Sequence, residues 1–283
     1  DFVGNRSKPL CDVPEMNIGN KPIDDGHYIF RTSEERDAFI ASEPESVPYI
    51  HEFLGSLEFI NGKKRWILWL GDLNDEELAK LPRCRERIEA VRQYRLSSGS
   101  KPTRKLAETP AHYHVENMPK SPYIVVPEVS SERREYVPIG FLTPEILCSN
   151  KLKIVPSSSL FMFGVLQSQF HNAWMRSVAG RLEARFSYSS GVVYNNFVWP
   201  EPTVEQRQIV EECAQAVLDA RDAHPGDSLA TLYDPDRMPA DLMAAHKALD
   251  AAVEATYGVD FGGDEEKIVA HLFKLYAEKT GGK

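Results

Sequence analysis

No apolar run in the 283 residues approaches the roughly 18–20 needed to cross a bilayer, which excludes a helical transmembrane protein. Cysteine is scarce and scattered: Cys11, Cys84, Cys148 and Cys213 form no CxxC. Neither a disulfide framework nor a zinc site is therefore suggested, and a reducing, cytoplasmic setting is expected. No glycine-rich dinucleotide loop, P-loop or GxSxG elbow is present. Adjacent prolines are absent, and with them any Asp-Pro-Pro-Tyr-type motif for methylating an exocyclic amine. The opening residues Asp1-Phe2-Val3-Gly4-Asn5-Arg6 carry neither an initiator Met nor an apolar leader, and they read as internal to a longer gene. A chain this long without a catalytic constellation points to a recognition or structural module. No catalytic residue, metal or cofactor is therefore expected within it.

Composition is that of an ordinary globular protein, 42% hydrophobic and 27% charged, long enough for one large domain or, more readily, two. The formal net charge of −9 hides a split. Residues 83–105 hold eight Lys/Arg against two acids, a local balance of +6, whereas residues 200–266 hold sixteen acids against four bases, a balance of −12. Such asymmetry suits a polyanion-binding half beside an acidic half; two solvated helix faces of opposite sign would give the same count.

Residues 1–60 are turn-rich, with one helix expected from Ser33 to about Ser42. Asn61-Gly62, flanked by Phe59-Ile60 and Trp66-Ile67-Leu68, predicts a hairpin with a type I′ turn. A helical stretch from about Asp75 to Leu96 is divided at Pro82, with Ile88 and Val91 inward and Arg85, Arg92 and Arg95 largely elsewhere. Residues 97–105 read as a flexible basic loop. Strands are expected at 123–126, 136–139 and 152–155 and an extended segment at 194–199. The aromatic stripe Phe163, Phe170, Trp174 predicts a buried helix. Pro200-Glu201-Pro202 marks a boundary. Beyond it a Thr203-x-x-Gln206 capping box opens one helix, Asp241–Tyr257 forms a second and Asp264 caps a third. The expected class is α+β: a mixed α/β domain over 1–200, then a small all-α helical bundle over 201–283.

Two signatures exist on paper. Pro235-Asp236 with Glu265-x-Lys267 matches a nuclease pattern, but its last two members fall in the first turn of a helix and not on adjacent strands. His112-x-His114 lacks further metal ligands. The basic segments are better leads. Arg95, Lys101, Thr103, Arg104 and Lys105 combine long cationic side chains with a small hydroxyl, which suits phosphate contact. Ser130-Ser131-Glu132-Arg133-Arg134 joins two strands and differs in kind. Arg can bond guanine O6 and N7 bidentately, Glu can accept from cytosine N4, and Ser can do either. A charge-balanced surface turn closed by a Glu–Arg pair is the alternative.

The segments Arg6–Pro14, Glu58–Trp66, Thr103–Ala107, Ser130–Phe141, Phe163–Ser168 and Tyr194–Pro200 resemble the C-terminal third of MmeI-like type II restriction–modification proteins and their methyltransferase relatives. The resemblance covers essentially the whole chain. It implies a target recognition domain to about residue 200 followed by the family's C-terminal helical domain. The partners implied are double-stranded DNA and a methyltransferase core in cis, with no membrane. S-adenosylmethionine belongs to that adenine-N6 methyltransferase core, and Mg to the nuclease domain that such a polypeptide can carry. DNA contacts carry over to Ser130, Ser131, Glu132, Arg133 and Arg134, and less firmly to Thr103, Arg104 and Lys105. A protein-docking scaffold with an acidic helical face is the alternative from a different class.

Overall fold

The computed structural model describes residues 3–281. In chain order its strands are β1 (Asn17–Ile18), β2 (Ile29–Phe30), β3 (Ile50–Leu54), β4 (Trp66–Leu68), β5 (Tyr123–Pro127), β6 (Val129–Ser130), β7 (Gly140–Leu142), β8 (Leu147–Cys148), β9 (Leu152–Val155), β10 (Gly180–Leu182) and β11 (Arg185–Ser187). The α-helices are α1 (Ser33–Ser42), α2 (Ser56–Asn61), α3 (Asp75–Ala79), α4 (Pro82–Leu96), α5 (Lys101–Lys105), α6 (Leu160–Gln167), α7 (Gln169–Val178), α8 (Val204–Asp222), α9 (Leu229–Leu232), α10 (Ala240–Thr256) and α11 (Glu265–Thr280). No helix among the described residues is long and apolar enough to cross a membrane. Mixed sheets and helices precede a purely helical C-terminal region, the expected α+β order.

These elements fall into two compact units: Asp1–Asn17, Ser121–Leu142 and Lys153–Lys283 in the first, Ile18–Lys120 and Thr143–Leu152 in the second. Residues on both sides of Pro200 therefore share the first unit.

In the second unit β4 is central, antiparallel to β2 and β3, and β3 carries β8 in parallel on its other edge. Ile67 and Leu68 of β4 are fully buried, because a strand flanked on both edges and covered by α1 and α4 leaves no solvent face. The expected hairpin at Asn61-Gly62 is not formed. Gly62 instead takes φ +66 and terminates α2 as a left-handed cap. Glu58 decides this locally. Its carboxylate accepts the Gly55 N–H at 2.7 Å and pairs with Arg65 Nη2 at 3.1 Å, closing a helical turn just before the Asn-Gly. The antiparallel partners of β4 are thus β2 and β3, not the residues just before the Asn-Gly.

The first unit holds a four-stranded sheet, order β1-β9-β5-β7, and a three-stranded one, order β10-β11-β6. The expected aromatic helix is present but broken at Ser168, whose extended backbone caps α7. Phe163, Phe170 and Trp174 are buried as the stripe requires. Gly164 lets α8 approach α6: a Cβ there would lie 2.9 Å from Val210 Cγ1. Residues 136–139 are not a strand. The Val137 and Ile139 N–H groups go to Asn172 Oδ1 at 2.8 Å and Gln167 Oε1 at 3.2 Å, so buried side chains replace a ladder. The segment 194–199, expected to be extended, begins in the last turn of a π-helix over Ser190–Tyr194. Thr203 and Gln206 form the capping box of α8, and Leu242, Leu249 and Val253 of α10 are fully buried.

Two segments far apart in sequence meet in this unit. Leu10 N–H bonds the Asn195 carbonyl at 2.8 Å, and the Asn195 and Asn196 amides bond the carbonyls of Arg6 and Gly4 at 2.7 and 2.8 Å.

Asp250 ties α10 to the same core. It is 6% exposed, accepts the Gln169 N–H at 2.9 Å and accepts the Tyr136 hydroxyl. Burial raises its pKa from 3.8 to about 6, against the lowering effect of both hydrogen bonds. The folded chain therefore holds this proton more tightly than the unfolded chain does. The resulting stabilisation, about 3 kcal/mol for a shift of this size, is complete below pH 3.8 and is lost as pH rises through about 6. Urea denaturation of Asp250→Asn should show that slope flattened; an unchanged slope would refute the assignment.

Candidate nucleic-acid interface

The basic stretch belongs to the second unit and forms α4 and α5, not a flexible loop. Ser100 caps α5 through Oγ, and Pro102 suits its first turn. Arg83 pairs with Glu86 at 3.0 Å and Arg92 with Glu89 at 2.8 Å, each one turn apart, so both acids of the stretch are taken up within α4 and the local excess of cations stands. The Arg92 and Gln93 donors hold Glu89 down at about 2, well below the carboxylate range.

Arg95 is not a phosphate contact. It is fully buried, and all five guanidinium N–H groups are used on backbone carbonyls. Nε donates to Ile23 at 2.9 Å, Nη1 to Leu106 and Thr109 at 2.9 and 3.0 Å, and Nη2 to Pro22 and His112 at 2.8 and 2.7 Å. Burial pulls its pKa below the usual value, against the electrostatic pull of nearby Tyr28 and Asp24. The residue lies four positions after fully buried Val91, on the inward face of α4. That spacing was available in the sequence; the charge masked it.

Three cations of the expected set do face solvent. Lys101 and Lys105 are exposed and have no ion-pair partner among the described residues. Exposed Arg104 donates to the Ser98 carbonyl at 2.9 Å and likewise meets no carboxylate among them. Thr103 is partly exposed beside them.

The 130–134 turn belongs to the first unit and follows β6. Ser130 is 3% exposed, a strand residue opposite Phe186, and its Oγ has no partner. Buried there, it cannot present a hydroxyl to a duplex, so its expected base-reading role is corrected. Ser131 shapes the turn: its Oγ accepts the Arg133 N–H at 3.2 Å and its carbonyl accepts the Arg134 N–H at 3.3 Å. Arg134 is partly buried, which lowers its pKa against the pull of Asp234. Glu132 and Arg133 are exposed and held from two directions. Arg181 Nη1 meets Glu132 Oε2 at 3.3 Å, and Arg133 Nη2 meets Asp236 Oδ2 at 2.9 Å and Asp234 Oδ1 at 3.9 Å. The alternative of a charge-balanced turn is thus half right: both charges are balanced, but by residues outside the turn.

Two contributors escaped sequence reasoning. One is Asp236, noted only for its nuclease pattern. The other is the β10–β11 hairpin, which has no Asn-Gly or Gly-Gly to announce its turn. Leu182 pairs with Arg185, leaving Glu183-Ala184 as the two-residue turn, and Glu183 takes φ +58.

The nuclease pattern dissolves in the same unit. Asp236 faces Arg133, Glu265 pairs with Arg176 Nε at 2.7 Å, and the Lys267 N–H donates to the helix cap Asp264. No group of three or more His, Cys, Asp or Glu among the described residues is placed to hold a metal. His112 Nδ1 lies 2.8 Å from Glu116.

Comparison with known proteins gives a consistent picture. The family model described as "MmeI, target recognition domain" matches residues 1–201, and that described as "MmeI, C-terminal domain" matches residues 203–282. DNA methyltransferase A of Bacillus subtilis (strain 168) is 39% identical over 280 residues, 99% of this chain and 32% of the relative. The solved structure of the Type IIL restriction-modification enzyme MmeI in complex with DNA matches with a TM-score of 0.95 at 42% identity, over 99% of this chain and 37% of that one. The chain spans about a third of the length of these relatives.

Proposed function

The chain belongs to the MmeI family, carrying its target recognition and C-terminal domains, and from that premise we propose that it reads a specific double-stranded DNA sequence for an adenine-N6 methyltransferase core in cis. The observation that carries this reading is the turn after β6. Glu132 and Arg133 stand exposed there, each braced by an opposite charge, on a fold matching at TM-score 0.95 a protein solved in complex with DNA.

Glu132 accepts from cytosine N4 and Arg133 bonds guanine O6 and N7, each good pair discriminating by about 1–3 kcal/mol. Ser131 and Arg134 keep the turn in shape. Lys101, Arg104 and Lys105, with Thr103 beside them, grip phosphates and set register without reading sequence. Held in this way, one adenine is presented to the methyltransferase core, which draws it out of the stack. S-adenosylmethionine supplies the methyl group when bound. We place its site in that core, together with the Pro-Pro-Tyr-type motif for methylating the amine, which this chain does not carry.

The acidic helices limit where DNA can lie. A segment with a balance of −12 over residues 200–266 repels a polyanion, so the duplex avoids most of α8 and α10.

Binding of the full chain to mixed-sequence duplex should weaken with salt at a log–log slope of about −3, for roughly three phosphates neutralised. Absence of binding at low salt would favour the docking scaffold instead.

A further inference from the structure

The β10–β11 hairpin stands beside the turn in one sheet, and so far it has supplied only Arg181 as a counter-charge to Glu132. β10 is exposed along its whole length, and Leu182 at its end is 48% exposed. Pairing sets Ser130, Phe186 and Arg181 in one row across β6, β11 and β10. Residues opposite one another in antiparallel strands point to the same face. Arg181 accordingly lies over the Phe186 ring, 3.9 Å from its centroid. From there its Nη1 donates to the Ala184 carbonyl at 3.1 Å and to Glu132 Oε2 at 3.3 Å. Ring stacking and a backbone bond fix the guanidinium, and the guanidinium in turn fixes the Glu132 carboxylate. The tip carries its own constraint: Glu183 holds φ +58, where glycine would be at ease.

We propose that Arg181 is a specificity-determining positioning residue, which orients Glu132 for one base pair of double-stranded DNA. This inference rests on the function proposed above. An unheld carboxylate on a surface turn samples several rotamers, so its preference for one base is diluted even when overall grip is intact. Arg181 therefore acts on selectivity at a single position and hardly on the salt dependence of binding.

The test is sequence selection from a randomised duplex pool by the full chain and by Arg181→Ala, Glu132→Ala, the double variant and Arg181→Lys, each checked for an unchanged melting curve. Wild type should enrich a short motif. Arg181→Ala and Glu132→Ala should each cut preference at the same one position by roughly tenfold, with the double variant no worse than either. Arg181→Lys, which keeps the charge, should recover part of the preference. If wild type enriches a motif that Arg181→Ala leaves intact, or relaxes at a different position from Glu132→Ala, this inference is overturned while the function stands. If wild type enriches nothing, the function proposed above falls first. Should Arg181→Ala lower the melting curve, Arg181→Gln gives the same readout with the ring contact largely kept.

Discussion

Replacing Arg95 by alanine should cost the second unit about 3–5 kcal/mol and leave it unfolded or nearly so under mild denaturant. Five backbone carbonyls, those of Pro22, Ile23, Leu106, Thr109 and His112, lose their donor at once. Water would have to enter a site where Arg95 itself has no exposed surface. The segment it clamps is also strained, with Ile23 at φ +49, a conformation that a β-branched residue holds only when its surroundings enforce it. Lysine offers three donors at one point and cannot span the same carbonyls, so Arg95→Lys should recover only a minor part of the loss. Urea denaturation followed by tryptophan fluorescence measures this, since Trp66 and Trp69 lie in the same unit. A variant that kept full stability yet bound DNA more weakly would return Arg95 to the phosphate contacts.

The second large effect separates grip from reading. Arg133→Ala should relax preference at one base pair by roughly tenfold to a hundredfold and leave the salt slope nearly unchanged. Lys105→Ala should weaken every sequence about equally and reduce the slope by about 1. Neither change should disturb folding, because Lys105 is exposed and the Arg133 pairs are surface ones with side chains 61%, 80% and 31% exposed, worth at most about 1 kcal/mol. Titrations against a preferred duplex and single-base variants of it, at several salt concentrations, distinguish the two. Identical behaviour of both variants would remove the division between α5 and the 130–134 turn.

Much of the helical C-terminal region was legible because its signals are local. The Thr203–Gln206 box and the spacing of Leu242, Leu249 and Val253 act within one or two turns, and the structure uses them as written. Asn61-Gly62 shows where local reading misleads. The same dipeptide suits a hairpin turn and a helix C-terminus, and Glu58, a turn earlier, settled the choice. Residues 136–139 have a strand's alternation, yet their N–H groups are met by Asn172 and Gln167, partners about 30 residues away that no periodicity could indicate. For the candidate site, the exposed turn of Glu132 and Arg133 and the exposed cations Lys101, Arg104 and Lys105 could be read directly, though the cations as a loop and not as a helix. What could not be read was which charges were already committed: Arg95 to carbonyls, Ser130 to a buried strand, Glu132 to Arg181 on an unannounced hairpin.

The most direct test of the central claim is selection from a randomised duplex pool by the full chain, at low and at moderate salt, with sequencing of the bound fraction. Enrichment of one short motif, retained as salt rises, is the predicted result. Binding that enriches no sequence at either salt, or no binding at all, would contradict target recognition by this chain.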